Sequence, residues 1–191
     1  MAALHVLIPA SLWHKQGVSA ERRPPKPLDN AALERLALRY VERFATTRGK
    51  LIAYLRRKVR ERGWAGEPGD AAALADRMVD LGYVNDRLFA EARVGALGRR
   101  GLGARRVAGA LREAHVDEAD SEALAPVIEG QAMAAALTFA RRKRIGPYGR
   151  GEADRDVQQK QLAAMLRAGH DFALSRRIVA CAPGDVPEED A

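Results

Sequence analysis

The chain has 191 residues, enough to bury a real core as one or two domains, and 47% hydrophobic with 30% charged residues describes a globular protein, not a disordered one. Aromatics are only 5% while alanine, leucine and arginine abound, a balance that favours helices over sheets. A net charge of +7 and a pI near 10.0 suggest a polyanionic partner, either nucleic acid or an acidic protein surface, although an arginine-rich composition alone is weak support.

Residues 1–28 read as a flexible leader. The opening MAALHVLIPASLW is mildly apolar but lacks the basic start of a secretory signal, and the PPKP run at 24–27 fits an extended, solvated segment. The first helical unit, 29–82, opens at Asp29 or Asn30, both good caps, and continues through ALERLALRYVERFATT. Thr46 and Thr47 then cap RGKLIAYLRRKVRERG, in which Leu51, Leu55 and Val59 form the buried stripe and Lys50, Arg56, Arg57 and Arg60 lie opposite. Gly63 stops that helix and Trp64 is placed to fold back on it. A third helix follows from about Asp70 to Leu81.

The second unit, 83–130, starts with Asn85 or Asp86 as a cap. Leu88, Phe89, Ala92 and Ala96 fall on one side at helical spacing and read as its inner face. Gly98, Gly101 and Gly103 end the run, with Arg99 and Arg100 on the turn. From Ala104 the period resumes with Val107, Ala108, Leu111 and Ala114 on one face and Arg105 and Arg106 near its start. A helix from about Asp117 to Ile128 contains Pro126, which predicts a kink or an early end.

The third unit, 131–181, begins with QAMAAALTFARRKRIG, an alanine-rich helix ending in Arg141, Arg142, Lys143 and Arg144; cations there also complement the helix dipole. GPYGRGEADRD is expected to be a mobile loop before DVQQKQLAAMLRAG and a closing helix that carries Cys181 in an apolar row. The acidic end, 182–191, should fray.

Apolar pairs four residues apart recur at intervals of 50: Leu74 and Met78, Leu124 and Ile128, Leu174 and Ile178. The preceding helices also correspond, through Leu55, Val59 and Gly63, then Val107, Leu111 and His115, then Gln161, Met165 and Gly169, with Leu162 taking the packing role of Gln161. The expected fold is therefore all-α, three tandem three-helix repeats forming an elongated, curved array. A single irregular helical bundle is the alternative.

The search for chemistry returns absences. Cys181 stands alone, so neither a disulfide framework nor a cysteine-based zinc site exists. His5, His14, His115 and His170 lack metal-ligand spacing; His115 and His170 sit at helix ends, where surface polarity is the ordinary role. GLGARR at 101–106 lacks the third glycine of a dinucleotide fingerprint and follows no strand, and GPYGRG fails likewise. The carboxylates are dispersed, so no catalytic residues, cofactor or metal is expected, and the chain does not read as an enzyme.

What remains is arginine. Arg56, Arg57 and Arg60, then Arg99, Arg100, Arg105 and Arg106, then Arg141, Arg142, Lys143 and Arg144 are the candidate binding residues, because guanidinium pairs bidentately with phosphate or carboxylate. Each cluster taken singly fits a solvated face; their recurrence in all three units supports one shared surface.

The stretch GYVNDRLFAEARV, a turn of RRGLGARRV type and then ALREAHV resembles the middle repeat of the bacterial RecX proteins. The resemblance spans roughly residues 30–181 and implies a modulator, usually an inhibitor, of the RecA recombinase filament, with the filament as partner, DNA as a further partner through the basic surface, and an effect on recombination, repair and the SOS response. It departs at His115, where the family more often has glycine, and near Leu97 and Gly98, where an arginine is missing. Two readings stand beside it. One is a helical protein acting directly on DNA, although no helix displays an Asn, Gln and Arg cluster suited to base edges. The other is a helical adaptor for an acidic protein. No run approaches the roughly 20 apolar residues of a membrane span, so a cytoplasmic monomer is expected.

Overall fold

Capping side chains begin most of the helices. The computed structural model describes residues 26–66 and 69–188, and the expected leader lies outside them except for its last three residues. In α1 (Asn30–Arg43) the Asp29 carboxylate accepts from Ala32 N–H at 2.7 Å. In α2 (Arg48–Arg62) the Thr47 hydroxyl accepts from Lys50 N–H at 3.1 Å, and in α3 (Ala71–Asp80) Asp70 accepts from Ala72 N–H at 2.8 Å. Each such cap satisfies an otherwise unpaired donor and contributes about 1 kcal/mol. The three helices pack on one another around Leu33, Ala37, Leu51, Leu55, Ala75 and Met78. Leu28 belongs to this core: it is fully buried, and its N–H and C=O pair with Gly63 and Ala65 beside Trp64. Leu28 is thus part of the first core and not of a flexible leader, since its side chain gains about 1.5–3 kcal/mol by leaving water.

Asn85 caps α4 (Asp86–Arg99), accepting from Leu88 N–H at 2.9 Å. With α5 (Ala104–Glu113), α6 (Glu118–Ala123) and α7 (Ala125–Gly130) it encloses a second cluster of Ala90, Val94, Leu97, Val107, Leu111 and Leu124. Next come α8 (Ala132–Lys143), a 3-10 turn (Gly146–Tyr148), α9 (Arg155–Arg167), capped by Asp154, and α10 (Phe172–Ala180), capped by Asp171. Ala136, Phe139, Ala140, Ile145, Met165 and Ile178 form the third cluster. Among the described residues the chain is all-helical; its only β-type pairing is the isolated Leu28–Trp64 bridge, and no single helix is long and apolar enough to cross a membrane.

Several local expectations change. The inner face of α4 is Ala90, Val94 and Leu97, not Leu88, Phe89, Ala92 and Ala96. This helix carries small and apolar residues on two sides, so periodicity alone does not choose which side meets α5 and α8. It also runs through Gly98, and the turn begins only at Arg100. The helix expected over 117–128 breaks at Leu124, and Pro126 takes the second position of α7, where it costs no hydrogen bond. Gly146 and Pro147 are buried rather than loop-like, with Pro147 C=O accepting from Gly184 N–H at 2.8 Å. The acidic end is held as far as Glu188, whose carbonyl accepts from Arg177 at 3.1 Å. Cys181 is the cap after α10, half-buried, with its Sγ 3.2 Å from Arg177 C=O.

Candidate partner-binding surface

The middle helices of the three clusters meet end to end. Where α5 finishes, Ala114 C=O accepts from the Thr47 hydroxyl at 2.5 Å, the same hydroxyl that caps α2. His115 follows with φ +54°, a left-handed conformation that disfavours residues bearing a Cβ. Gly49, in the first turn of α2, lies so near that a Cβ there would come within 2.4 Å of His115 Cβ. Arg48 N–H donates to Asp86 at 2.7 Å and its guanidinium pairs with Asp76, tying the same end of α2 to α3 and α4.

At its other end α5 meets α9. Gly103 N–H donates to Ala168 C=O at 3.0 Å and Arg105 N–H to Gly169 C=O at 3.2 Å, so unpaired donors of one helix satisfy unpaired acceptors of another. The contact is backbone on backbone: a Cβ on Gly103 would lie 2.4 Å from the Gly169 carbonyl. Gly169 itself has φ +93° and sits against Arg106. His170 is 1% exposed, with Nε2 3.2 Å from Gly101 C=O and its ring 5.5 Å from that of Phe139. Burial pushes this imidazole below the ordinary histidine range. The expected surface role for His170 is thus corrected, since its partner stands 69 residues away. His115 is exposed, as expected of a helix-end histidine.

This geometry sorts the arginines. Arg56, Arg57 and Arg60 are exposed on the C-terminal half of α2; Arg57 pairs with Glu61 at 3.6 Å, while Arg56 and Arg60 form no ion pair among the described residues. Arg99 and Arg100 end α4, and Arg142 donates to Arg100 C=O at 2.9 Å, which joins this pair to the run at the end of α8. Arg141 and Arg142 lie over Tyr148 and Phe139 at 5.0 and 5.5 Å, and Lys143 and Arg144 point to solvent, Arg144 with φ +57°. Arg105 and Arg106 serve the joint: Arg105 donates to His170 C=O at 2.8 Å and Arg106 packs over Gly169. So residues 99–106 and 141–144 form one basic neighbourhood around the α5–α9 joint. No hydrogen bond, ion pair or ring contact among the described residues links Arg56, Arg57 and Arg60 to it; they lie on the C-terminal half of α2, whose other end, at Thr47 and Gly49, meets the end of α5.

Sequence reasoning missed that Thr47, Gly49, Gly101, Gly103, Gly169 and His170 meet across the joints. The signal available was the match of Gly63, His115 and Gly169 at successive helix ends, all three of which have positive φ. No group of three or more His, Cys, Asp or Glu side chains could hold a metal ion among the described residues.

Compared with known proteins, the chain is 32% identical over 170 residues to the regulatory protein RecX of Myxococcus xanthus strain DK1622, covering 83% of this chain and 91% of that one. The chain belongs to the RecX family. The regulatory protein RecX of Agrobacterium fabrum strain C58 is 31% identical over 155 residues, 79% of this chain and 80% of the relative. The crystal structure of RecX from Lactobacillus salivarius shares the fold, with a TM-score of 0.60 and 20% identity over 78% of this chain and 93% of that one. No family model matches the sequence. As a RecX protein the chain belongs among regulatory proteins.

Proposed function

We propose that this protein binds the RecA–DNA filament and lowers RecA ATPase turnover and strand exchange, as three tandem helical units whose basic residues face the filament. The observation that carries the reading is membership of the RecX family across nearly the full length of a relative. Three separate hydrophobic clusters joined through the ends of α2, α5 and α9 support the tandem-unit reading. A series of small cores suits a protein that follows a long partner, because each unit presents its own exposed guanidinium groups. Arg56, Arg57 and Arg60 on one side, and Arg99, Arg100 and the 141–144 run on the other, are the residues assigned to phosphate or carboxylate contact. Arg105 and Arg106 contribute mainly by holding the joint.

The test is the single-stranded-DNA-dependent ATPase rate of the cognate RecA during titration with this protein. The expected result is a progressive fall at or below equimolar protein. An unchanged rate across a wide titration, together with tight binding to naked DNA, would replace this reading with a protein that acts on DNA directly.

A further inference from the structure

The side of α4 that the core leaves unused is apolar. Leu88 is 62% exposed and Tyr83 is 53% exposed, and with Phe89, Ala92 and Ala96 they line a hollow of about 450 Å³ that runs along the helix beside Ala45. From Leu88 to Ala96 the groove is about 12 Å long, the span of two turns of a second helix lying in it. Exposed apolar side chains gathered on one helix face, next to Phe44 and Leu81, which are also exposed, mark an interaction surface more often than a neutral one.

Cations border the groove. Lys50 rests 5.7 Å from the Phe89 ring and forms no ion pair among the described residues. Arg93 lines the groove and likewise forms none. Arg43 stands over Phe44 at 5.4 Å. The acids on this helix are already engaged, Glu91 by Arg87 at 2.6 Å and Asp86 by Arg48 N–H at 2.7 Å. A groove with an apolar floor and, on its rim, cations that form no ion pair among the described residues complements a segment with apolar residues on one side and carboxylates on the other.

We infer that the Leu88–Ala96 face of α4 is the docking site for an acidic amphipathic helix of a protein partner, lying helix-in-groove with its carboxylates on Lys50 and Arg93. The inference rests on the filament reading above and deepens it: this groove makes the protein contact, whereas the arginine clusters meet phosphate.

The experiment uses the full chain and two measurements. In the first, fluorescence anisotropy follows a labelled 16-residue helical peptide with leucine at i, i+3, i+4 and i+7 and glutamate on its remaining face. The glutamate peptide should bind at least tenfold tighter than a lysine counterpart, and Leu88→Asp and Arg93→Glu should each weaken it at least tenfold. Both replaced side chains are on the surface, so circular dichroism should be unchanged. Equal binding of the two peptides, no binding, or wild-type affinity in a folded Leu88→Asp protein would overturn the inference. In the second, Leu88→Asp should retain affinity for single-stranded DNA and lose inhibition of the RecA ATPase; retained inhibition would also overturn it. If the wild-type protein leaves RecA unaffected, the filament reading fails, and the peptide measurement still decides the groove. A wild-type dimer that Leu88→Asp dissociates would assign the groove to a second copy and overturn the acidic-partner assignment.

Discussion

Gly103 donates its backbone N–H to the carbonyl of Ala168 at 3.0 Å, so the open start of α5 is closed by the open end of α9. Their proximity leaves no room for side chains: the space a Cβ would need on Gly103 is filled by Gly169 and by the N–H of His170. Gly103→Ala should therefore destabilise the protein by about 2–4 kcal/mol, more than most surface substitutions, because relief requires moving a backbone. Denaturant unfolding measures the loss. Hydrogen exchange should show α5 and α9 losing protection together while Leu51 and Leu55 in α2 keep theirs.

His115 makes the opposite prediction. With φ +54° it occupies a conformation that costs a Cβ-bearing residue about 1–2 kcal/mol, and Gly63 and Gly169 hold positive φ at the other two helix ends. His115→Gly should stabilise the fold by up to about 1 kcal/mol, the gain being reduced by the greater chain entropy of unfolded glycine. Thermal melts of the two proteins at pH 7 provide the comparison, and an unchanged or lower melting temperature counts against the strain.

The burial of His170 sets a pH dependence. Its folded pKa lies below the unfolded value near 6.5, so the unfolded chain binds the extra proton first. The stability due to the neutral buried ring is fully present above pH 6.5 and declines as pH falls from there toward the folded pKa. Melting temperature should thus drop between pH 7 and 5, a window separate from that of Asp76 and Asp171, whose lowered pKa values withdraw stability only at more acid pH. His170→Gln should flatten the curve between pH 7 and 5. An equally steep curve in that variant would place the titration elsewhere.

Charge reversal probes the α2 cations. Arg56, Arg57 and Arg60 are exposed and lie away from the Leu51 and Leu55 stripe, so Arg56→Glu with Arg60→Glu should change stability by less than about 0.5 kcal/mol each. Adding Arg57→Glu also removes the Glu61 pair and places like charges four residues apart. Binding to the DNA-bearing filament should weaken strongly, and its dependence on salt should become shallower as fewer counterions are released. Titrations between 50 and 200 mM salt read both effects; equal slopes in a folded triple variant would mean this face is only solvated.

Local chemistry made much of the fold legible in the sequence. Asp70 is recognisable as a cap, and the pairs Asp29 and Asn30, Thr46 and Thr47, and Asn85 and Asp86 each contain the residue that caps, because a short oxygen-bearing side chain ahead of a helical period has an obvious donor to meet. Met78, Leu124 and Ile178 were identifiable as core from spacing alone. The phase of α4 was not, since alanines and glycines let either side pack closely and Val94 and Leu97 compete with Leu88 and Phe89. His170 and the glycines of the joint were hidden for another reason: their partners are 65 to 69 residues distant, and no local pattern encodes that pairing. The arginine clusters were visible as charge, but not the division of labour that sets Arg105 on a carbonyl and leaves Arg56 in water.

A coupling that leaves no space for a Cβ has a bearing on which inherited changes the chain can absorb. The Gly103 bonds run between amides and carbonyls that any residue supplies, which leaves most neighbouring side chains free to drift, whereas the joint at Gly49 also depends on the Thr47 hydroxyl and the Asp86 carboxylate. The two glycines have no such latitude. Replacement by even the smallest alternative meets His115 at one position and Gly169 at the other, each at 2.4 Å. Damaging missense variants should accordingly concentrate at these two turns, and at the few side chains beside them, Thr47, Asp86 and His170, that complete the joints.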